Sequence, residues 1–167
     1  MKIFALVGSL RRDSYNMKLA RFVKERYQQE FELEIADIRS LPHFNQDQEN
    51  DPPAVVVDFK NRIAQADGVL IVTPEFNWSV PGVLKNALDW ASRVPRVFNG
   101  KPVLTMGVTT GAWGTIRAQL HLREILSGSG LAAKMLPAGN SQILIGFAEK
   151  QFDEAGRLTD PALLQFL

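Results

Sequence analysis

Three short apolar runs, residues 3–7, 69–73 and 103–108, show no polar alternation and are rich in β-branched side chains. Runs of that length and texture predict strands buried on both faces, as in a parallel sheet. A weaker, partly alternating run at 31–36 predicts an edge strand, and another at 132–136 predicts the opposite edge. Between them the spacing turns helical. Leu19, Ala20, Val23 and Tyr27 recur at helix period, as do Val55 or Val56 with Phe59, Ile63 and Ala66. Leu84, Ala87, Leu88 and Ala91 repeat the pattern, and Ile116, Leu120 and 122–126 follow. Pro81 suits the first turn of the third helix, where its missing N–H costs nothing. Strands alternating with helices predict one α/β domain over residues 1–167, a three-layer sandwich on a doubly wound, five-stranded parallel sheet in the order 2-1-3-4-5.

That order places ligands beyond the carboxyl ends of the strands, at the switch point between the first and third. Three loops meet there: 8–16, 74–80 and 109–114. The first reads Gly8-Ser9-Leu10-Arg11-Arg12-Asp13-Ser14-Tyr15-Asn16, just before a helical pattern near Met17. Free N–H groups and the dipole at a helix start favour an anion. Ser9, Ser14 and Asn16 add donors, and Arg11 or Arg12 adds positive charge. The stretch reads as a phosphate cradle. Plain helix capping by Ser14 or Asn16 competes with that reading, as does a solvated loop carrying two arginines. With neither G-x-G-x-x-G nor G-x-x-x-x-G-K-[ST] present, a single phosphate fits better than a pyrophosphate or triphosphate. The second loop sets Phe76 and Trp78 between prolines; the third carries Thr109, Thr110, Gly111 and Trp113. Each aromatic residue taken singly is best read as core packing. Together, flat rings, prolines and exposed main-chain N–H groups suit a planar heterocycle bearing one phosphate, the shape of FMN.

Charge and cysteine content narrow the classes. With 19 basic and 18 acidic residues the net charge is +1, which speaks against nucleic acid or an anionic membrane as partner. The absence of cysteine rules out disulfides, thiolate metal sites and a cysteine nucleophile. Two histidines, His43 and His121, argue against a histidine-rich zinc site, so no metal is expected. No run approaches the ~18 apolar residues of a membrane span, and no leader precedes the first strand, so a cytoplasmic location is expected.

At the level of motifs, the chain resembles the NADPH-dependent FMN reductases of flavodoxin-like fold, a group that includes bacterial chromate and quinone reductases. The resemblance rests on Gly8-Ser9-Leu10-Arg11 with Ser14 and Asn16, on Pro74-Glu75-Phe76-Asn77 and on Ser79-Val80-Pro81-Gly82. It continues in Leu84-Lys85-Asn86-Ala87-Leu88-Asp89-Trp90, Gly100-Lys101-Pro102-Val103, Arg117-Ala118-Gln119 with His121-Leu122-Arg123, and Phe152-Asp153-Glu154 with Gly156-Arg157-Leu158. It implies a phosphate loop at Ser9, Arg11, Ser14, Tyr15 and Asn16. It implies a flavin-ring loop at Pro74, Glu75, Phe76 and Asn77, whose main chain meets the pyrimidine edge, and a third flavin loop at Thr109, Thr110 and Gly111. Phe76 stands where tyrosine is commoner. Thr115 stands where many relatives have glycine, which is expected to keep that loop further from the flavin.

The implied activity is hydride transfer from NADPH, or NADH, through bound FMN to a small acceptor such as free flavin, a quinone or chromate. No catalytic acid–base residue is expected, because the cofactor carries the chemistry. A flavodoxin-like electron carrier is the alternative; such carriers are strongly acidic and lack an arginine in the phosphate loop. A phospho-receiver domain would need acids where Gly8-Ser9 and Thr73-Pro74 stand, and a cofactor-free interaction domain would bind no flavin. The resemblance also implies a homodimer or homotetramer, with the Trp90 region and the helix from Ile116 as candidate contacts. Residues 37–50 and Arg117 are then candidates for reaching a neighbour's site. His121 is expected at a subunit contact, His43 on a surface loop, Lys85 and Asp89 in structural polar contacts, and Glu75 in a bond within its own loop. Leu167 falls early in the last helix, so a longer natural terminus is expected.

Overall fold

Side chains alternate across a strand, and in β1 (Lys2–Val7) this alternation divides the core in two. Phe4 and Leu6 pack on one face of the sheet, Ala5 and Val7 on the other. The computed structural model describes residues 1–139 and 142–167. Its elements follow in the order β1, α1 (Tyr15–Arg26), β2 (Glu32–Ile35), α2 (Ala54–Gln65), β3 (Gly68–Val72), α3 (Gly82–Ala91), β4 (Pro102–Val108), α4 (Ile116–Ser127), β5 (Lys134–Met135), β6 (Gln142–Ile145), α5 (Ala148–Gln151) and α6 (Pro161–Phe166). The sheet is parallel, in the order β2-β1-β3-β4-β5, with β6 also on β4.

The expected five strands become six, and the reason is local. β4 pairs with β5 only through Pro102 and Val103, then with β6 from Thr105 to Val108. The fifth position of the sheet is thus shared by two short strands, β5 ending at Met135 and β6 beginning at Gln142. Helices α2, α3 and α4 cover one face through Phe59, Ile63, Leu84, Leu88, Leu122 and Leu126; α1 covers the other through Leu19, Ala20 and Val23. Pro81 is the N-cap residue of α3, one position ahead of the expected first turn. On α4 the buried stripe runs through Ala118, Gln119, Leu122 and Leu126, and the expected core position Leu120 faces outward. The Trp90 side chain itself packs inside the protomer. It is buried within the chain, donates from Nε1 to the Pro42 carbonyl (2.9 Å) and meets Phe44 edge-on.

No helix among the described residues is long and apolar enough to cross a membrane.

Candidate functional site

Val7, Val72 and Met106 lie side by side in the sheet register, so β1 and β3 end level and β4 runs two residues further, to Val108. Two strand spacings, about 10 Å, separate the outer pair. The three loops suspected from sequence therefore leave one short rim.

The cradle starts at Gly8, whose N–H donates to the Val72 carbonyl (2.9 Å). A Cβ there would lie 3.0 Å from Thr73 Oγ1 and 3.3 Å from Leu84 Cδ2, so a side chain in the turn out of β1 would need those neighbours to give by a few tenths of an ångström. Ser9 and Ser14 follow, both buried, with 8% and 4% of their surface exposed. Ser14 is the N-cap of α1, and its Oγ accepts from the Met17 N–H (3.3 Å), which is the capping role foreseen. A cap that accepts still has its hydroxyl proton to donate. Beside it, the first N–H groups of α1 have no intrahelical acceptor. Arg11 is exposed, and its guanidinium makes no hydrogen bond or ion pair among the described residues.

Asn16 has another task. Its Nδ2 donates to the Val108 carbonyl (2.9 Å) and its Oδ1 accepts from the Val108 N–H (3.0 Å). The carboxamide thus spends its oxygen and one N–H on fastening α1 to the end of β4. Tyr15, half-buried, packs on Phe152 with ring centroids 5.6 Å apart and carries Lys18 Nζ 5.0 Å from its own ring centre.

The second loop is a tight hairpin. Phe76 N–H donates to the Ser79 carbonyl and Ser79 N–H to the Phe76 carbonyl, both at 3.0 Å. Asn77 and Trp78 between them have φ of 49° and 67°, the signs of a type I′ turn. Phe76 therefore has no main-chain N–H to offer a ligand, whereas those of Glu75 and Asn77 have no protein acceptor among the described residues. Glu75 does not bond within its loop as expected. Its Oε2 accepts from the Arg117 and Ala118 N–H groups (2.9 and 3.2 Å), at the start of α4. Thr115, the N-cap residue there, makes no side-chain cap bond, so the carboxylate supplies it from another loop. His121 Nδ1 sits 3.0 Å from Ser79 Oγ, and the Arg117 guanidinium lies on the Trp78 ring, 3.2 Å from its centre.

In the third loop, Thr109 N–H donates to the Ile145 carbonyl, and the Thr109 and Gly111 carbonyls accept from Ala148 and Phe147. Residues 145–148 therefore back the loop, a contribution with no mark in the loop's own sequence. Thr110 and Gly111 are exposed. Thr115 is fully buried and points at Gly107, where any Cβ would overlap Thr115 Oγ1 and the Thr73 carbonyl. Its hydroxyl accepts from Gln119 Nε2 (3.1 Å); Gln119 also donates to the Ile143 carbonyl (3.0 Å) and accepts from Thr105 (2.9 Å).

Phe76, Trp78 and Trp113 are 54%, 65% and 77% exposed, so none of them packs over the sheet edge as core. His43 is exposed, and its neighbours are strapped to α3: Asn86 Oδ1 accepts from the Phe44 N–H (2.7 Å) and Nδ2 donates to the Pro42 carbonyl (2.9 Å). Lys85 and Asp89 form an ion pair along α3 (2.6 Å). A cavity of about 660 Å³ opens at the amino end of the sheet between Ile3, Leu70, Leu104, Ile143 and the Val23–Tyr27 side of α1. Its walls are mostly apolar.

Residues 1–150 match the family described as NADPH-dependent FMN reductase. A 2-hydroxy-1,4-benzoquinone reductase from a Burkholderia species is 42% identical over 100% of this chain and 90% of its own. An NAD(P)H-dependent FMN reductase of Pseudomonas aeruginosa is 40% identical, over 96% of this chain and 85% of its own. Among solved structures, FerB, a flavoenzyme NAD(P)H:(acceptor) oxidoreductase from Paracoccus denitrificans, superposes with a TM-score of 0.88 at 33% identity, covering 99% of this chain and 90% of that one. The chain belongs to the NADPH-dependent FMN reductase family and is an FMN-dependent NAD(P)H oxidoreductase of flavodoxin-like fold.

Proposed function

We propose that FMN lies across the three rim loops, phosphate toward Ser9, Ser14 and Arg11, and that quinones are among the acceptors it serves. The observation that carries this reading is the cradle itself. A closely packed glycine turn leads to two buried hydroxyls at a helix start, with an unpaired arginine at its mouth. Bound there, FMN supplies two-electron transfer from NAD(P)H to the acceptor. The protein's share is placement. The hydroxyls of Ser9 and Ser14 and the first N–H groups of α1 hold the phosphate, and Arg11 balances its charge. Tyr15 walls the cradle against Phe152. Asn16 keeps the cradle in register with the third loop through Val108. The Glu75 and Asn77 N–H groups are donors for the pyrimidine edge, where reduced flavin gathers negative charge. Pro74 and the Phe76–Ser79 bonds keep that segment stiff. Thr109, Thr110 and Gly111 line the remaining side.

Exposed Trp113 and Leu120, just before and on α4, support a homodimer or homotetramer, which sedimentation equilibrium measures directly. The quinone assignment follows the Burkholderia relative and is checked with a panel of quinones, free flavin and chromate. The central test titrates flavin-free protein with FMN and with riboflavin, which differ only in the phosphate. FMN is expected to bind at least about a hundredfold tighter, and Arg11→Ala to narrow the gap. Equal affinity for the two flavins would remove the phosphate assignment.

A further inference from the structure

Two basic side chains, Arg117 and His121, stand one turn apart on α4, and both meet the hairpin of the second loop. The Arg117 guanidinium is laid on the Trp78 ring at 3.2 Å, and its donors find no protein acceptor among the described residues. The Glu75 carboxylate is occupied by the first N–H groups of α4 and makes no ion pair with that guanidinium. The ring itself is placed at some expense. Trp78 has φ of 67°, a position in a type I′ turn that glycine fills without strain, yet it carries an indole that stays 65% exposed. The arginine covers one face of that indole, and 65% of the tryptophan's surface stays exposed. The hairpin therefore presents a flat, open aromatic surface beside a fork of free donors, the fork already held in place by stacking.

We propose that Trp78, Arg117 and His121 form a site for the adenosine 2′-phosphate end of NADPH, and that this site sets a preference for NADPH over NADH. A purine stacks on the open indole face, and a phosphate dianion takes the guanidinium fork in two parallel bonds. His121, whose Nδ1 meets Ser79 Oγ, has its Nε2 left as a third donor. The inference rests on the FMN assignment above, since the same hairpin borders the flavin-ring loop and a nicotinamide over the ring leaves its adenosine at this rim.

The test has two arms. In the first, FMN-loaded wild type, Arg117→Met, Arg117→Lys and Trp78→Gly are assayed with NADPH and with NADH, flavin content being measured by absorbance beforehand. Arg117→Met keeps an apolar stem against the indole, and Trp78→Gly suits the turn, so neither asks the hairpin to refold. Arg117→Met is expected to raise KM for NADPH by about tenfold to a hundredfold and to move KM for NADH far less. Arg117→Lys should fall between, because lysine keeps the charge but not the fork. Trp78→Gly should weaken both dinucleotides, through the lost base stack. In the second arm, protein with and without flavin is titrated with 2′,5′-ADP and with 5′-AMP. Wild type should prefer 2′,5′-ADP, and Arg117→Met should lose that preference. Equal shifts in both KM values for Arg117→Met, a shift confined to the acceptor KM, or equal binding of the two nucleotides would each overturn the proposal. Failure to take up FMN would instead overturn the flavin assignment, and the nucleotide titration would still be readable.

Discussion

The two ends of this sheet have opposite characters. The amino end has the room: a cavity of about 660 Å³ with apolar walls. The carboxyl end has many donors, drawn from the three loops that follow β1, β3 and β4. The difference follows from parallel strands. Every strand-to-helix connection leaves by the carboxyl end, so helix starts with unpaired N–H groups collect there. Volume suits an apolar guest, and convergent donors suit a phosphate. For a phosphorylated heterocycle the second property decides.

That contrast is broken most forcefully at Ser14. Ser14→Asp keeps a good N-cap but sets a carboxylate under the phosphate. Like charges about 4 Å apart at an effective dielectric near 20 repel by ~4 kcal/mol, so FMN affinity should fall roughly a thousandfold while the melting curve barely moves. Flavin retention after dialysis, measured beside thermal melting, checks both halves. Gly107→Ala attacks the scaffold under the same end, pushing a methyl into Thr115 and the Thr73 carbonyl. A loss of about 3 kcal/mol in urea unfolding is expected; a loss under ~1 kcal/mol would mean that the loop yields easily. At the opposite end, Leu104→Ser in the cavity wall should cost about 2 kcal/mol of stability and leave FMN affinity where it was. Weaker flavin binding in that variant would contradict the separation of the two ends. The smallest effect belongs to Glu75→Gln, which removes the charge facing the start of α4 and should cost about 1 kcal/mol. An unchanged unfolding midpoint would show that the neutral amide caps equally well.

Much of this was legible in the chain, and the gaps have physical causes. Buried strands announce themselves by unbroken apolar runs: 3–7, 69–73 and 103–108 fall within a residue of β1, β3 and β4. The split fifth strand was half seen. Met135 closes one short piece and Gln142 opens the next, and no local spacing says that both lie against β4. The face of α4 misled for a different reason. Its stripe contains Gln119, fully buried and fully bonded, so a polar residue occupied a core position while Leu120 faced out. In the site, Ser9, Ser14 and the glycine turn could be read from residue type, because capping and tight turns are local. The work of Asn16 and Glu75 could not, since their acceptors and donors lie 92 and 42 positions away. The Trp78–Arg117 stack is hidden for the same reason; only the i, i+4 spacing of Arg117 and His121 marked one shared face.

The clasp between Asn16 and Val108 closes a long stretch of chain, so half of the binding loop is supplied by a strand synthesised much later. Until β4 has docked, α1 lacks its fastening and the pocket is incomplete. Flavin uptake then doubles as a report that the whole sheet has assembled. By mass action, a hundredfold excess of free FMN over its dissociation constant stabilises that assembled state by about 2.7 kcal/mol. Cells short of flavin would hold a softer, more readily degraded form of the same polypeptide.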